Sequence, residues 1–97
     1  MPKAYWIAQI DVNNPEAYKD YVAATAEPFR KYGARFLARG GKCEVMEGKG
    51  RGRNVIIEFA DYATAVACYR SPEYAKAAAL RQKASTGDLL IVEGYDA

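Results

Sequence analysis

Residues 54–82, NVIIEFADYATAVACYRSPEYAKAAALRQ, constrain the fold more than any other stretch of the chain. Within it, residues 55–59 are apolar on both faces apart from Glu58. A strand of that kind belongs in the middle of a sheet, because an edge or a wet face would carry alternate polar residues. Asp61 then caps a short helix whose stripe is Tyr62, Ala65, Val66 and Tyr69. Arg70-Ser71-Pro72-Glu73 stops that helix and starts another, with Ser71 as cap and Pro72 at the first helical position. Tyr74, Ala77, Ala78 and Arg81 form the second stripe, and its alanines allow close backbone approach.

The flanking segments supply more elements of the same kinds. Residues 3–12 read as a strand, with Trp6, Ala8, Ile10 and Val12 on a dry face and Tyr5, Ile7, Gln9 and Asp11 on a mixed one. Asn14, Pro15 and Glu16 begin a helix, as cap, first-position proline and acid at the positive end of the dipole. Its apolar stripe runs through Tyr18, Tyr21, Val22, Thr25, Phe29 and Tyr32, and Gly33 ends it. Pro28 lies inside this pattern and predicts a kink or a split near residues 26–27. Residues 34–39 predict a second strand, which Gly40-Gly41 bends and 42–47 continues. The Gly-cation alternation of 48–53 reads as a mobile exposed hairpin loop. It lacks phosphate-loop spacing, and a strand rather than a helix follows it. Ser85-Thr86-Gly87 predicts a turn, and 88–95 the last strand.

Ninety-seven residues make one domain, here taken as 1–97. The order strand, helix, two strands, helix pair, strand describes two β-α-β halves. That is the ferredoxin-like β-α-β-β-α-β arrangement of class α+β: a four-stranded antiparallel sheet with helices on one face. Right-handed crossovers put both helical units on that face. The other face must then carry Tyr5, Ile7, Leu37, Ile56, Leu89 and Ile91, or their alternates, with no third layer to cover them. A large bare apolar patch is unusual for a soluble monomer, so a second copy is the economical cover. Two such sheets face to face make a homodimeric barrel.

Composition removes several functions. The chain has no histidine, which eliminates Ser-His-Asp and Cys-His nucleophilic sites and the commonest transition-metal ligand. Fourteen basic residues against 12 acidic ones give +2, too balanced to imply nucleic acid or an anionic membrane as partner. No run reaches membrane-spanning length, and the N-terminal residues enter a strand without a signal-peptide pattern. Cys43 and Cys68 form no CxxC pair and read as free thiols in a reducing cytoplasm. No metal and no cofactor is expected.

The stretches AYWIAQIDVNNPEAYKDYV, RFLARGGKCEVMEG, VIIEF, ACYRSPEYAKAAALRQ and the closing VEGY resemble the bacterial family catalogued as domain of unknown function 1330, DUF1330. That family lies in the dimeric α/β-barrel superfamily, and the similarity covers nearly the whole chain. The resemblance implies a ferredoxin-like homodimer and no particular reaction. Superfamily relatives include cofactor-free oxygenases, haem-degrading enzymes, muconolactone-isomerase-like proteins and dehalogenases. The haem-degrading type uses a histidine ligand that this chain lacks.

Strand parity assembles a candidate site from the mixed face: Tyr5, Gln9 and Asp11 on the first strand, Arg39 on the second, Glu58 on the third. Polar groups on a mostly apolar face must pair or bind something. In one reading Arg39 holds an anionic group, Glu58 or Asp11 moves a proton and Tyr5 donates to a developing oxyanion, with Gln9 as a neighbour. In the other, Arg39 and Glu58 form an ion pair that satisfies both. Tyr69, Ser71 and Tyr74 line the mouth of a substrate pocket in the first reading, and cap and pack a helix junction in the second. Two functions follow: a cofactor-independent enzyme or binder acting on a small acidic or carbonyl-bearing molecule, or a non-catalytic homodimeric ligand-sensing or structural module.

Overall fold

The computed structural model describes residues 2–95. Its elements are β1 (Ala4–Val12), α1 (Pro15–Ala24), α2 (Ala26–Lys31), β2 (Arg35–Arg39), β3 (Arg53–Phe59), α3 (Tyr62–Arg70), α4 (Pro72–Ala84) and β4 (Ser85–Glu93). The sheet runs β2-β3-β1-β4 and every neighbouring pair is antiparallel. This is the ferredoxin-like α+β fold. The principal extents, 38 × 35 × 17 Å, leave depth for one sheet and one helical layer. Among the described residues, no helix is long and apolar enough to cross a membrane.

Local chemistry accounts for the helix boundaries. The side chain of Asn14 accepts from the Ala17 amide at 3.1 Å, and that of Asp61 from Thr64 at 2.8 Å. The Ser71 hydroxyl accepts from the Tyr74 amide at 3.1 Å while donating to the Cys68 carbonyl at 2.7 Å. Each bond satisfies an amide or carbonyl that a helix end leaves open. The split predicted around Pro28 occurs at Thr25, between α1 and α2. There the Thr25 hydroxyl donates to the Val22 carbonyl at 2.7 Å, and Pro28 falls inside the short α2.

The core lies between sheet and helices, and Trp6 is its hub. The indole is 1% exposed and its N–H donates to the Ala65 carbonyl at 2.9 Å. Its ring centroid lies 5.2 Å from Phe59, 5.4 Å from Phe29, 4.9 Å from Tyr74 and 5.6 Å from Tyr69. Most of these contacts are edge-to-face, the arrangement that the ring quadrupole favours.

Three local expectations fail. Residues 42–47 form no strand. Gly40 turns the chain at φ 70°, β3 begins only at Arg53, and 42–47 therefore has no strand opposite it. The loop after it is tied down rather than free: Arg51 contacts Asp11 at 2.7 Å and Asp88 at 3.4 Å. Nor is there a turn at Ser85-Thr86-Gly87. Helix α4 passes straight into β4, with Ser85 already extended. Gly87 is needed there for close approach, since a Cβ on it would collide with the backbone carbonyl of Gln9. Replacing Gly87 with Ala is expected to cost about 1–3 kcal/mol through this overpacking. Chemical denaturation measures it, and an unchanged midpoint would contradict the close β1–β4 approach.

Candidate functional site: an arginine-lined cavity between sheet and helices

A cavity opens between the sheet and helices α1 and α2. Its floor is Trp6, Ala8 and Ile10 of β1 with Val55 and Ile57 of β3, and its walls include Tyr18, Tyr21, Phe29 and Phe36. The cavity volume is about 30 Å³, and the space opens to solvent at its mouth. Three arginines reach it: Arg39, Arg53 and Arg81. No acidic residue does, among the described residues.

Each arginine is placed by its element. Arg53 is the first residue of β3 and pairs with Ile10 of β1, whose side chain is buried on the helical face. Its guanidinium stands 5.4 Å from the Tyr18 ring and lies against Gly40, where a Cβ would come within 2.5 Å of it. Arg39 pairs with Val55 and stands 4.3 Å from the Phe36 ring. Arg81 descends from the alanine-rich face of α4, is 8% exposed, and stands 5.8 Å from the Tyr21 ring. The Nε atoms of Arg53 and Arg81 are buried with no hydrogen-bond partner among the described residues. Such an orphan is costly unless something else satisfies it.

Tyrosine hydroxyls complete the polar lining. Tyr21 and Tyr74 share a hydrogen bond of 2.9 Å. Burial, then the neighbouring Tyr74 oxygen, drives the Tyr21 hydroxyl far above the ordinary tyrosine range. Burial also raises Tyr74. Both therefore stay neutral, and since one donates to the other, the pair has a single hydroxyl proton left to offer. Burial works against the charge of Arg81, but the oxygens of Tyr74 and Tyr21 outweigh it and its pKa is raised, so Arg81 stays cationic. The site can thus hold an anion against an aromatic surface and stabilise charge developing on a bound oxygen. Its walls offer neither a carboxylate nor an imidazole to accept a proton.

The residues singled out from sequence are distributed over two faces. Arg39 reaches the cavity; Tyr5, Gln9, Asp11 and Glu58 lie on the opposite, open face of the sheet. The expected Arg39–Glu58 pair does not form. A bulge between Phe36 and Ala38 shifts the register, so Ala38 pairs with Ile56 and Arg39 with Val55 on the helical side. Glu58 instead meets Lys3 at 3.1 Å and is cross-strand from Tyr5 and Arg35. Gln9 is opposite Asn54, not Glu58, and Asp11 is held by Arg51 and the Gly52 amide at the far end of the face.

Tyr74 is fully buried against Trp6 and reaches the cavity through Tyr21, and Ser71 is engaged in the helix junction on both its donor and acceptor sides. Tyr69 faces an open groove beside β4, one wall of which is Arg81. Cys43 is exposed and Cys68 buried, both unpaired; burial and then the charge of Glu73 push the Cys68 thiol up to about 12. Sequence reasoning missed Arg53, Arg81, Tyr18 and Tyr21 as cavity residues. The available signal was a cation, Arg81, on the stripe of Tyr74, Ala77 and Ala78.

The family described as "Domain of unknown function (DUF1330)" matches residues 3–95, and the chain belongs to it. No curated protein matches. Among solved structures, the chain is similar to a protein of unknown function from Rhodopseudomonas palustris, with TM-score 0.77, 18% identity, and 99% of this chain and 85% of that one covered. It is similar to SnoaB, a cofactor-independent oxygenase from Streptomyces nogalater, at TM-score 0.66 and 15% identity over 100% and 97% of the two chains. A dimeric ferredoxin-like protein of unknown function from Jannaschia sp. CCS1 aligns at TM-score 0.70 and 12% identity, over 97% and 99%.

Proposed function

We propose that the cavity between sheet and helices binds a small organic anion and that the protein is a cofactor-independent enzyme or binder for such a molecule. The single observation that carries this is Arg81: a guanidinium 8% exposed, with an orphaned Nε and no acidic residue lining its cavity. A carboxylate or enolate would satisfy that group and be recognised by it. With Tyr74 donating to it, Tyr21 would then be free to donate to an oxygen on which charge accumulates. SnoaB shares the fold and is a cofactor-independent oxygenase, so the architecture accommodates chemistry of that kind. The lack of a proton acceptor in the walls favours the second reading, a ligand-sensing module, or a reaction in which the substrate is already an anion.

The partner proposed for the chain is a second copy. The open face exposes Leu37, Leu90 and Val92 at 49%, 53% and 42%, beside half-buried Tyr5, Ile7 and Ile56. Solved structures of the same fold include dimeric proteins. A homodimer through this face would enclose Tyr5, Gln9 and Glu58 in a barrel interior, and their catalytic or binding roles remain a proposal for that second chamber. The two free cysteines support a cytoplasmic location.

Two experiments test these readings. Benzoate at about one hundred times its Kd is expected to stabilise the protein by about 2.7 kcal/mol. Arg81→Met is expected to abolish that gain while leaving the ligand-free melting temperature unchanged or raised, because it removes an unpaired buried charge. A variant that melts many degrees lower, yet still gains stability from benzoate, would make Arg81 structural. For the dimer, which should bury on the order of 2,000 Å², Leu90→Glu is expected to convert it to monomer in sedimentation. A wild-type protein already monomeric at micromolar concentration would refute the interface.

A further inference from the structure

We infer that the homodimer joins unlike edges of the two sheets, β2 of each copy lying over β4 of the other, so that both 40–52 loops close the same end of the shared chamber. This rests on the open face being the dimer interface and adds which edges meet and which end stays open. The sheet order leaves β2 and β4 as the edges. They carry the exposed large apolar side chains of the strands: Leu37 on β2, Leu90 and Val92 on β4. Strand β4 is nine residues long, keeps an unbroken register with β1 and has neither lysine nor proline. An edge without those protections calls for a partner. Charge decides how the edges pair. Residues 35–42, RFLARGGK, hold three cations and no acid, whereas β4, STGDLLIVE, holds two acids and no cation. Stacking like edges would set cations against cations and acids against acids. Stacking unlike edges sets opposite charges together. Asp88 is available for this, with 77% of its side chain exposed beside Arg51.

A two-fold axis parallel to the strands produces the unlike pairing, and it leaves every residue at its own height in the sheet. The register then fixes the neighbours. Phe36 is level with Ile91 through Ile57 and Trp6, and Ala38 with Leu90 through Ile56 and Ile7. Leu37 lies in the bulge between them, so it falls on the partner's Leu90. Arg35 is level with Val92 through Glu58 and Tyr5, so it falls on the partner's Val92. The same symmetry brings the loops together. Arg51 bonds Asp11 and Asp88, and the Asn54 amide donates to the Cys43 sulfur, which holds 40–52 over the Asp11 end of the open face. With heights preserved, both loops close that end. The chamber keeps one mouth, at the end where Tyr5 and Glu58 stand opposite each other.

Paired cysteines test the edges. Cys68 is buried and Cys43 exposed, so the background is Cys43→Ser. In it, Leu37→Cys combined with Leu90→Cys is expected to form a covalent dimer under mild oxidation, seen on a non-reducing gel. Either single variant is expected to form none. Within one chain the two positions are on strands three spacings apart, about 14 Å, which is beyond disulfide reach, so the link reports on the partner. Arg35→Cys combined with Val92→Cys keeps both leucines and is expected to link in the same way, which covers a loss of association caused by removing them. A link in either pair supports the inference. A single variant that links to itself would put like edges together and overturn it. A protein that sediments as a dimer while neither pair links would also overturn it and leave the dimer standing. A monomeric wild type would remove the dimer reading and this inference with it.

Discussion

The burial of Trp6 against both layers is the interaction on which the rest of the structure depends. Its indole touches Phe29 of α2, Phe59 of β3, Tyr69 of α3 and Tyr74 of α4, and its N–H holds the Ala65 carbonyl. One side chain thereby fixes the distance from the sheet to three helices. Substitutions that empty such a site cost about 3–5 kcal/mol, a large share of the stability of a domain this small. The same ring also forms part of the cavity floor. The packing that makes the fold and the packing that shapes the site are therefore continuous.

That continuity explains where the cations stand. A chain of ordinary stability has little reason to keep an arginine under an alanine-rich helix face, because the charge must be desolvated without a carboxylate beside it. Tyr21 and Tyr74 ease the cost through their ring and hydroxyl groups, and the rings of Tyr18 and Phe36 do so for Arg53 and Arg39. The remaining electrostatic demand falls on whatever enters the cavity. By contrast, three acids of the open face already have partners: Glu58 has Lys3, and Asp11 and Asp88 share Arg51.

The fold was legible because its boundaries are written in local chemistry. Asn14, Asp61 and Ser71 are caps wherever they occur in front of a helical stripe, and Pro15 and Pro72 mark first turns. The uniform dryness of Val55, Ile57 and Phe59 identifies a strand with neighbours on both sides. The site was legible only in part. Parity counting fails at the bulge between Phe36 and Ala38, which carries no glycine to announce it and moves Arg39 to the helical side. Gly87 was misread because close approach to β1 and a turn both call for glycine. Arg53 follows a run of glycines and cations that hides the start of β3. Pairing of Lys3 with Glu58 depends on side-chain reach at a strand end, which no periodicity encodes.

The central claim is that Arg81 is a recognition group awaiting an anion. The Nε–H resonance of Arg81, followed by nitrogen-proton NMR while benzoate is added, addresses that claim at the atom concerned. The account predicts a saturable shift of that resonance as the orphaned nitrogen gains an acceptor. A resonance that stays fixed through millimolar benzoate would contradict it.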